Sequence, residues 1–393
     1  MLLSIALIIL IALAMGKLLK MVRIPPILGM LLTGILLGPF VFDLIDDRIL
    51  TLSAELRQIA LIVILLRAGL SLKLEHLKKI GRPALLMSFI PATFELLAVL
   101  ILGPILLDLS FLEAAILGSI LAAVSPAVVV PKMLHLMESG YGKKKHIPEL
   151  ILSGASLDDI YVIILFTSFL QAYMTGNPSF HLFYQLPLSI ILGIGLGLFL
   201  GYMSVQFFKR FHIRDTIKVL ILFALSFLLI TLELTLKPWV SISGLLAVMV
   251  LGGMIHHEYP ILAKRLVGKF EKIWVIAEIM LFVLVGAAVD ISLVSDLGFQ
   301  AILLILGALM FRSLGVYLAL IKTNLIFKER LFVMIAYLPK ATVQAAIGTI
   351  PLASGIPSGH LMLSMAVLAI LITAPLGAIG MDFTYQSLLA KEN

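Results

Sequence analysis

Long runs of apolar residues, each about twenty residues long and bounded by charged residues, glycine or proline, recur along the whole chain. Such a run has the length of a helix that crosses the hydrocarbon core of a bilayer. We therefore predict an all-α integral membrane protein with about thirteen transmembrane helices. These segments 1 to 13 cover residues 2–19, 24–41, 56–72, 83–107, 111–131, 150–174, 182–208, 216–235, 239–256, 268–291, 297–321, 331–353 and 360–384.

Composition agrees with this interpretation. Apolar residues make up 61% of the chain and charged residues 13%, and the mean hydropathy is +1.16. A soluble domain carries about 25% charged residues. The chain has no cysteine, which excludes disulfides, thiolate catalysis and thiolate metal sites. No nucleotide loop, zinc-ligand spacing or hydrolase motif is convincing, so we expect neither an enzyme nor a bound cofactor.

Basic residues are distributed asymmetrically between the two sides of the predicted membrane. Most of them lie in loops after odd-numbered segments, whereas the loops after even-numbered segments hold only Arg48, Arg57 and Lys237. By the positive-inside rule, this pattern predicts an external N-terminus and a cytoplasmic C-terminus in the cell's plasma or inner membrane. The net charge of +7 then reflects topology, so nucleic acid is not an expected partner.

Landmarks repeat along the chain at an offset of about 215 residues, as from Gly29 to Gly244 and from Pro126 to Pro339. The matched landmarks lie seven segments apart, in segments 2 and 9 and in segments 5 and 12. Since successive segments cross the membrane in alternating directions, an odd separation means that the two copies insert in opposite orientations, as in many secondary transporters. We predict an extra N-terminal helix at 1–23, a first inverted repeat at 24–174, linking helices at 175–238, a second repeat at 239–384 and a short cytoplasmic tail at 385–393, without a soluble regulatory domain.

Two adjacent carboxylates, Asp158 and Asp159, lie within the apolar segment 6. A carboxylate at membrane depth costs about 2.5–3.5 kcal/mol on insertion scales, so its presence indicates function. We expect this pair to hold a cation or a proton, with oxygen ligands from Ser125, Ser156 and Thr342 in support. Oxygen ligands of this kind suit sodium or lithium. The alternative is a purely structural pair at a helix end or in a salt bridge.

Segments 5 and 12 contain prolines at Pro126, Pro131 and Pro339. Proline lacks a backbone donor and blocks the carbonyl four residues earlier, so it kinks or breaks a helix. Ordinary kinks are one interpretation. Equivalent positions in the two repeats favour a crossed pair of discontinuous helices near the midplane. There we expect Lys340 to offset the partial negative charge of the facing helix C-termini.

Glu95 and Arg312 occupy equivalent repeat positions in segments 4 and 11. Each would be costly alone in lipid, so we expect a buried ion pair. Its role is either a scaffold or a part of ion coupling. Arginine stays protonated under essentially all conditions, and therefore Arg312 cannot carry an exchanging proton.

Four strings carry a family resemblance: VSPAVVVP, GASLDDI, LPKATVQAAIG and IPPILGMLLTGILLGP. They resemble the sodium/proton antiporters of the cation/proton antiporter superfamily, in particular the NHA-type branch with two adjacent aspartates. The resemblance implies an NhaA-like fold, a core that moves like an elevator, and a helical panel that forms a homodimer. It also implies that Asp159 is the ion-binding carboxylate and Asp158 its partner, and that Arg312 replaces a lysine found in related bacterial antiporters.

We therefore expect an antiporter that exchanges sodium or lithium for protons, with membrane lipid and a second copy of the chain as partners. Four alternatives stay open: a potassium/proton exchanger, an organic-anion symporter of the same fold, a gated cation channel, and a membrane scaffold or sensor that transports nothing.

Overall fold

The computed structural model describes residues 1–22, 24–71, 82–175, 181–211, 213–236 and 242–391, and leaves some side chains within its helices outside the description. The described chain consists of helices and their connecting turns. In chain order the helices are α1 (Leu2–Met21), α2 (Pro26–Leu37), α3 (Asp47–Thr51), α4 (Ser53–Ser71), α5 (Arg82–Met87), α6 (Ile90–Leu107), α7 (Phe111–Leu121), α8 (Pro126–Ser139), α9 (Ile147–Thr175), α10 (His181–Arg210), α11 (Asp215–Leu236), α12 (Gly244–Glu258), α13 (Pro260–Ala287), α14 (Ile291–Ala319), α15 (Phe327–Ala336), α16 (Thr342–Ile347), α17 (Ile350–Ala353) and α18 (Gly359–Leu388).

The predicted all-α membrane class is confirmed, and each predicted segment overlaps helical residues. Segments 5 and 12 are interrupted next to Pro126 and at Pro339, as predicted, whereas Pro131 lies within helix α8 rather than in an unwound segment. Segment 4 corresponds to one candidate membrane span, Arg82–Leu107, with a turn at Ser88 and Phe89 between α5 and α6. Proline restricts the residue before it, and Pro91 sits in the first turn of α6. Within the described residues, six helices are long and apolar enough to cross a membrane by themselves, so the count of thirteen stays a prediction.

The chain divides into two compact units, of which the first comprises Met1–Arg57, His76–Val162 and Ile279–Asn393. In this unit α6 packs on α14 and on α7, and α18 packs on α15 and α16. Every residue from Ala114 to Leu121 in α7 and from Thr342 to Ile347 in α16 is buried. A helix without an exposed face lies inside a bundle. The two short helices therefore form the interior of the first unit.

Glycines bring two backbones of the first unit into direct contact. A Cβ atom at Gly34 of α2 would lie 1.9 Å from the carbonyl oxygen of Val283, and one at Gly286 of α13 would lie 2.2 Å from that of Leu31. Small residues allow this close approach of membrane helices. Any side chain at either position forces the two helices apart.

The second unit comprises Gln58–Glu75 and Ile163–Glu278. In it α10 packs along α12, and a Cβ atom at Gly69 of α4 would lie 2.0 Å from the carbonyl oxygen of Met249 in α12. Large apolar side chains such as Ile191, Phe199 and Met203 of α10 are exposed. Exposed apolar surface of this extent suits a lipid environment rather than water.

Replacement of Gly34 by alanine should destabilise the protein, because the new methyl group would overlap the backbone of α13. Overpacking of this kind costs about 1–3 kcal/mol. We expect Gly34→Ala to lower the midpoint of thermal unfolding in detergent. The control is Gly268→Ala, where a Cβ atom would meet nothing within 4 Å and alanine favours the helix. Equal midpoints for the two variants would contradict the close contact.

Candidate ion-binding site

The first helix break lies between α7 and α8. Helix α7 ends at Leu121, the chain runs without helical structure through Val124, and α8 begins at Pro126. Proline suits this first position because its missing N–H would have no partner there. The break leaves backbone groups of residues 122–125 free to bind partners other than their own helix.

The second break lies between α15 and α16. Helix α15 ends at Ala336 and α16 begins at Thr342. The backbone N–H of Ser125 in the first break donates to the carbonyl oxygen of Pro339 in the second, over 2.8 Å. The backbone N–H of Lys340 donates to Thr373 Oγ1 on α18, over 2.9 Å. The two interrupted segments are therefore in direct hydrogen-bonded contact.

The amide of Gln344 joins the two breaks a second time. Its Nε2 donates to the carbonyl oxygens of Ile120, over 3.2 Å, and Ala123, over 2.8 Å. Its Oε1 accepts from the backbone N–H of Ala341, over 2.8 Å. All of these groups are buried, and backbone groups away from water need such partners. Gln344 thus satisfies backbone atoms that the interruptions leave without helical hydrogen bonds.

Arg312 of α14 is completely buried and lies between the ends of the two interrupted helices. Its guanidinium donates to the carbonyl oxygen of Tyr337 at the end of α15, over 2.7 Å, and to that of Ala122 at the end of α7. Helix C-termini carry partial negative charge and unpaired carbonyls. The guanidinium thus stabilises both helix ends at once.

The same guanidinium forms two buried ion pairs. Nη1 lies 2.8 Å from Glu95 Oε2, and Nη2 lies 2.9 Å from Asp158 Oδ2. Lys340 is also buried, and its Nζ lies 2.7 Å from Glu95 Oε1. We expected Lys340 to face the helix C-termini, but Arg312 takes that position and Lys340 pairs with Glu95. The planar guanidinium of Arg312 has five N–H donors and can bind several acceptors at once, whereas the ammonium group of Lys340 acts as a point charge. This difference explains why Arg312 occupies the position between the helix ends.

The two adjacent aspartates have different surroundings. Asp158 is fully buried, and its Oδ2 accepts from Arg312 and from the backbone N–H of Val124, over 2.8 Å. Asp159 is half-buried, and no ion pair to it is seen among the described residues. Successive residues of a helix point about 100° apart, which explains the difference. Asp158 faces the first break and pairs with Arg312. No ion pair between Arg312 and Asp159 is seen among the described residues.

Several buried oxygen atoms around the breaks have no hydrogen-bond partner among the described residues. They are Asp158 Oδ1, Asp159 Oδ1, Ser125 Oγ, Thr342 Oγ1 and Tyr337 Oη. Buried polar atoms are usually satisfied, and an unsatisfied one costs about 1–3 kcal/mol. Carboxylate and hydroxyl oxygens of this kind are also the ligands that hard monovalent cations accept. The interrupted helices and α9 therefore bring together oxygens of the type that bind hard cations.

Formal charge in this cluster does not cancel. Arg312 and Lys340 carry two positive charges, and Glu95 and Asp158, which they contact, carry two negative charges. Ionised Asp159 adds one further negative charge at membrane depth, which is expensive without a counterion. One proton or one monovalent cation at Asp159 restores neutrality.

Most of the predicted site residues lie in this cluster: Asp158, Asp159, Ser125, Thr342, Glu95, Arg312, Lys340 and Pro339. The side chains of Ser156, Pro126 and Pro131 lie outside the described part of the chain. Sequence analysis missed Tyr337 and Thr373. Tyr337 could have been found, because a tyrosine stands beside the predicted break in segment 12. Nothing in the pattern of segment 13 distinguishes Thr373.

Comparisons with known proteins show the family of this chain. Residues 5–384 match the profile of a family described as "Sodium/hydrogen exchanger, transmembrane". The chain is 34% identical to sodium/hydrogen exchanger 9B2 of Mus musculus over 93% of its own length and 69% of that protein. It is 32% identical to sodium/hydrogen exchanger 9B1 of Homo sapiens over 96% of its own length and 76% of that protein.

A solved structure shows the same fold. The sodium proton antiporter MjNhaP1 from Methanocaldococcus jannaschii superposes with a TM-score of 0.83 and 21% sequence identity, over 98% of this chain and 97% of that chain. Helical architecture, interrupted helices with buried charges, and the match over nearly the whole sequence lead to one conclusion. The chain belongs to the sodium/hydrogen exchanger family, and it is an integral membrane cation/proton antiporter.

Proposed function

We propose that the protein exchanges sodium, or lithium, for protons, and that the ion and the proton compete at Asp159 with Asp158 assisting. The observation that carries the proposal is the single uncompensated negative charge of Asp159 beside four charges that cancel. A site that needs one positive charge accepts either a proton or a metal ion. Exchange follows when the two are taken from opposite sides of the membrane.

The unpartnered oxygens support sodium as the metal ion. Asp158 Oδ1, Asp159 Oδ1, Ser125 Oγ and Thr342 Oγ1 are all hard ligands. The names of the mammalian relatives also point to sodium/hydrogen exchange. Potassium is the alternative ion, since the same ligand types bind it. A cation series in the transport assay below separates sodium, lithium and potassium.

The charge arrangement favours a one-for-one exchange. Asp158 is held by Arg312 and by a backbone N–H, so its ionised form is stabilised throughout. Arg312 does not release its proton under physiological conditions. Asp159 is then the one exchanging group, and each sodium ion displaces one proton. Exchange of this kind moves no net charge across the membrane.

Three further proposals rest on the resemblance and on the charge pattern of the loops. The core containing the interrupted helices moves like an elevator between the two membrane faces. Two copies of the chain associate through the remaining helices. The N-terminus lies outside and the C-terminus in the cytoplasm, with the protein in the plasma or inner membrane.

Removal of the exchanging carboxylate should abolish transport. In proteoliposomes with an enclosed pH dye, we expect wild-type protein to move protons when sodium or lithium is added. Asp159→Asn should show no response, because its amide neither releases a proton nor supplies a charge for the metal ion. Asp108→Asn is the control, since Asp108 is exposed and its left-handed backbone (φ 52°) accepts asparagine.

Exchange by folded Asp159→Asn protein at the wild-type rate would overturn the role of this carboxylate. A sodium current without any pH response would instead indicate a channel.

Arg312 acts mainly as a scaffold in this account. Its removal would leave Glu95 and Asp158 buried with fewer partners, and breaking a buried pair costs about 3–5 kcal/mol. We expect Arg312→Ala to lower folded yield and thermal stability strongly. Arg265→Ala serves as the control, because Arg265 is half exposed in its pair with Asp215. Stable Arg312→Ala protein that has lost sodium binding would show a direct role in the ion site instead.

A further inference from the structure

Tyr337 is the largest buried group near the aspartates that the proposed exchange does not use. Its side chain is fully buried, and its hydroxyl has no hydrogen-bond partner among the described residues. A phenol hydroxyl is both a donor and an acceptor, and a buried one normally binds something. Because a buried hydroxyl without a partner is unfavourable, we infer that this hydroxyl serves the ion site.

The position of the hydroxyl is defined by Gly154 of α9. A Cβ atom at Gly154 would lie 2.0 Å from the Tyr337 hydroxyl oxygen and 2.9 Å from Met87 Cβ. The hydroxyl therefore rests directly on the backbone of α9, in a space that exists because residue 154 is glycine.

Gly154 and Asp158 lie four residues apart in α9, and so they share one face of the helix. Side chains of a helix lean toward its N-terminus, and they cover the turn that precedes them. The carboxylate of Asp158 consequently leans toward the turn where the Tyr337 hydroxyl rests. Asp158 Oδ1 is buried, and neither it nor the hydroxyl has a hydrogen-bond partner in the part of the chain that the structure describes.

Arg312 holds both groups in place. Its Nε donates to the backbone carbonyl of Tyr337 over 2.7 Å, its guanidinium carbon lies 5.4 Å from the centre of the Tyr337 ring, and its Nη2 binds Asp158. Guanidinium over an aromatic face is an attractive arrangement. The charged groups around the hydroxyl are Asp158 and Asp159 of α9 and Arg312 of α14.

We propose that Tyr337 is a positioning residue of the ion site, whose hydroxyl donates through one water molecule to the unpartnered oxygen of Asp158. The water has polar partners on both sides, as a buried water requires. This bond holds the carboxylate of Asp158 in one orientation, so that Asp159 is left to exchange. The inference rests on the proposed exchange at these aspartates.

The test is Tyr337→Phe in proteoliposomes, with sodium titrated at several pH values. Loss of one hydrogen bond should raise the KM for sodium roughly three- to tenfold, with little change in kcat.

The control is Tyr161→Phe, because Tyr161 lies on α9 and its hydroxyl lies 2.8 Å from Thr93 Oγ1. It should keep the wild-type KM and kcat. Identical values for Tyr337→Phe and Tyr161→Phe would overturn the positioning role while leaving sodium/proton exchange intact. Absence of exchange in the wild type would overturn the proposed function itself.

A second variant tests the geometry independently of transport. Gly154→Ala should lower the thermal stability of the protein, because the new Cβ atom would overlap the Tyr337 hydroxyl oxygen. The loss should be smaller in the Tyr337→Phe background, which lacks that oxygen. Sodium-dependent thermal stabilisation in detergent gives a binding measurement for all of these proteins. Equal losses from Gly154→Ala in both backgrounds would show that the hydroxyl does not rest on α9.

Discussion

The guanidinium of Arg312 binds the ends of two interrupted helices, and the rest of the site is arranged around it. An interrupted helix in a membrane exposes carbonyl groups that have no water to satisfy them. Arg312 donates to the carbonyls of Ala122 and Tyr337, one at each break. Because it is itself a buried charge, it also requires carboxylates, which Glu95 and Asp158 supply.

This arrangement assigns different roles to two adjacent residues of the same type. Asp158 belongs to the charge network, whereas Asp159 remains outside the ion pairs of the described residues. Among the described residues, the ion pairs of Arg312 and Lys340 with Glu95 and Asp158 are neutral without Asp159. This charge balance is the basis of the proposal that a proton and a sodium ion compete at Asp159.

Much of the fold was predictable because a bilayer restricts the choices. Apolar runs indicated the helices, and Pro126 and Pro339 indicated both breaks. The turn inside segment 4 was not predicted, although Pro91 was the available signal for it.

The partners of individual side chains were harder to predict. Glu95 and Arg312 were expected as a pair, but the bond from Arg312 to Asp158 joins residues 154 positions apart, and a single sequence contains no pattern that specifies it. Lys340 was expected at the helix ends, where a forked donor proved to fit better. The Tyr337 hydroxyl depends on the space at Gly154, which only the packed structure shows.

Proton release on sodium binding would show whether the two ions share Asp159. Purified protein in detergent, weakly buffered at a pH where the site is protonated, is titrated with sodium while released protons are counted. The account predicts about one proton for each sodium ion bound, and none from Asp159→Asn. Release of about two protons would require a second carrier such as Lys340, and sodium binding without proton release would show that the two do not share Asp159.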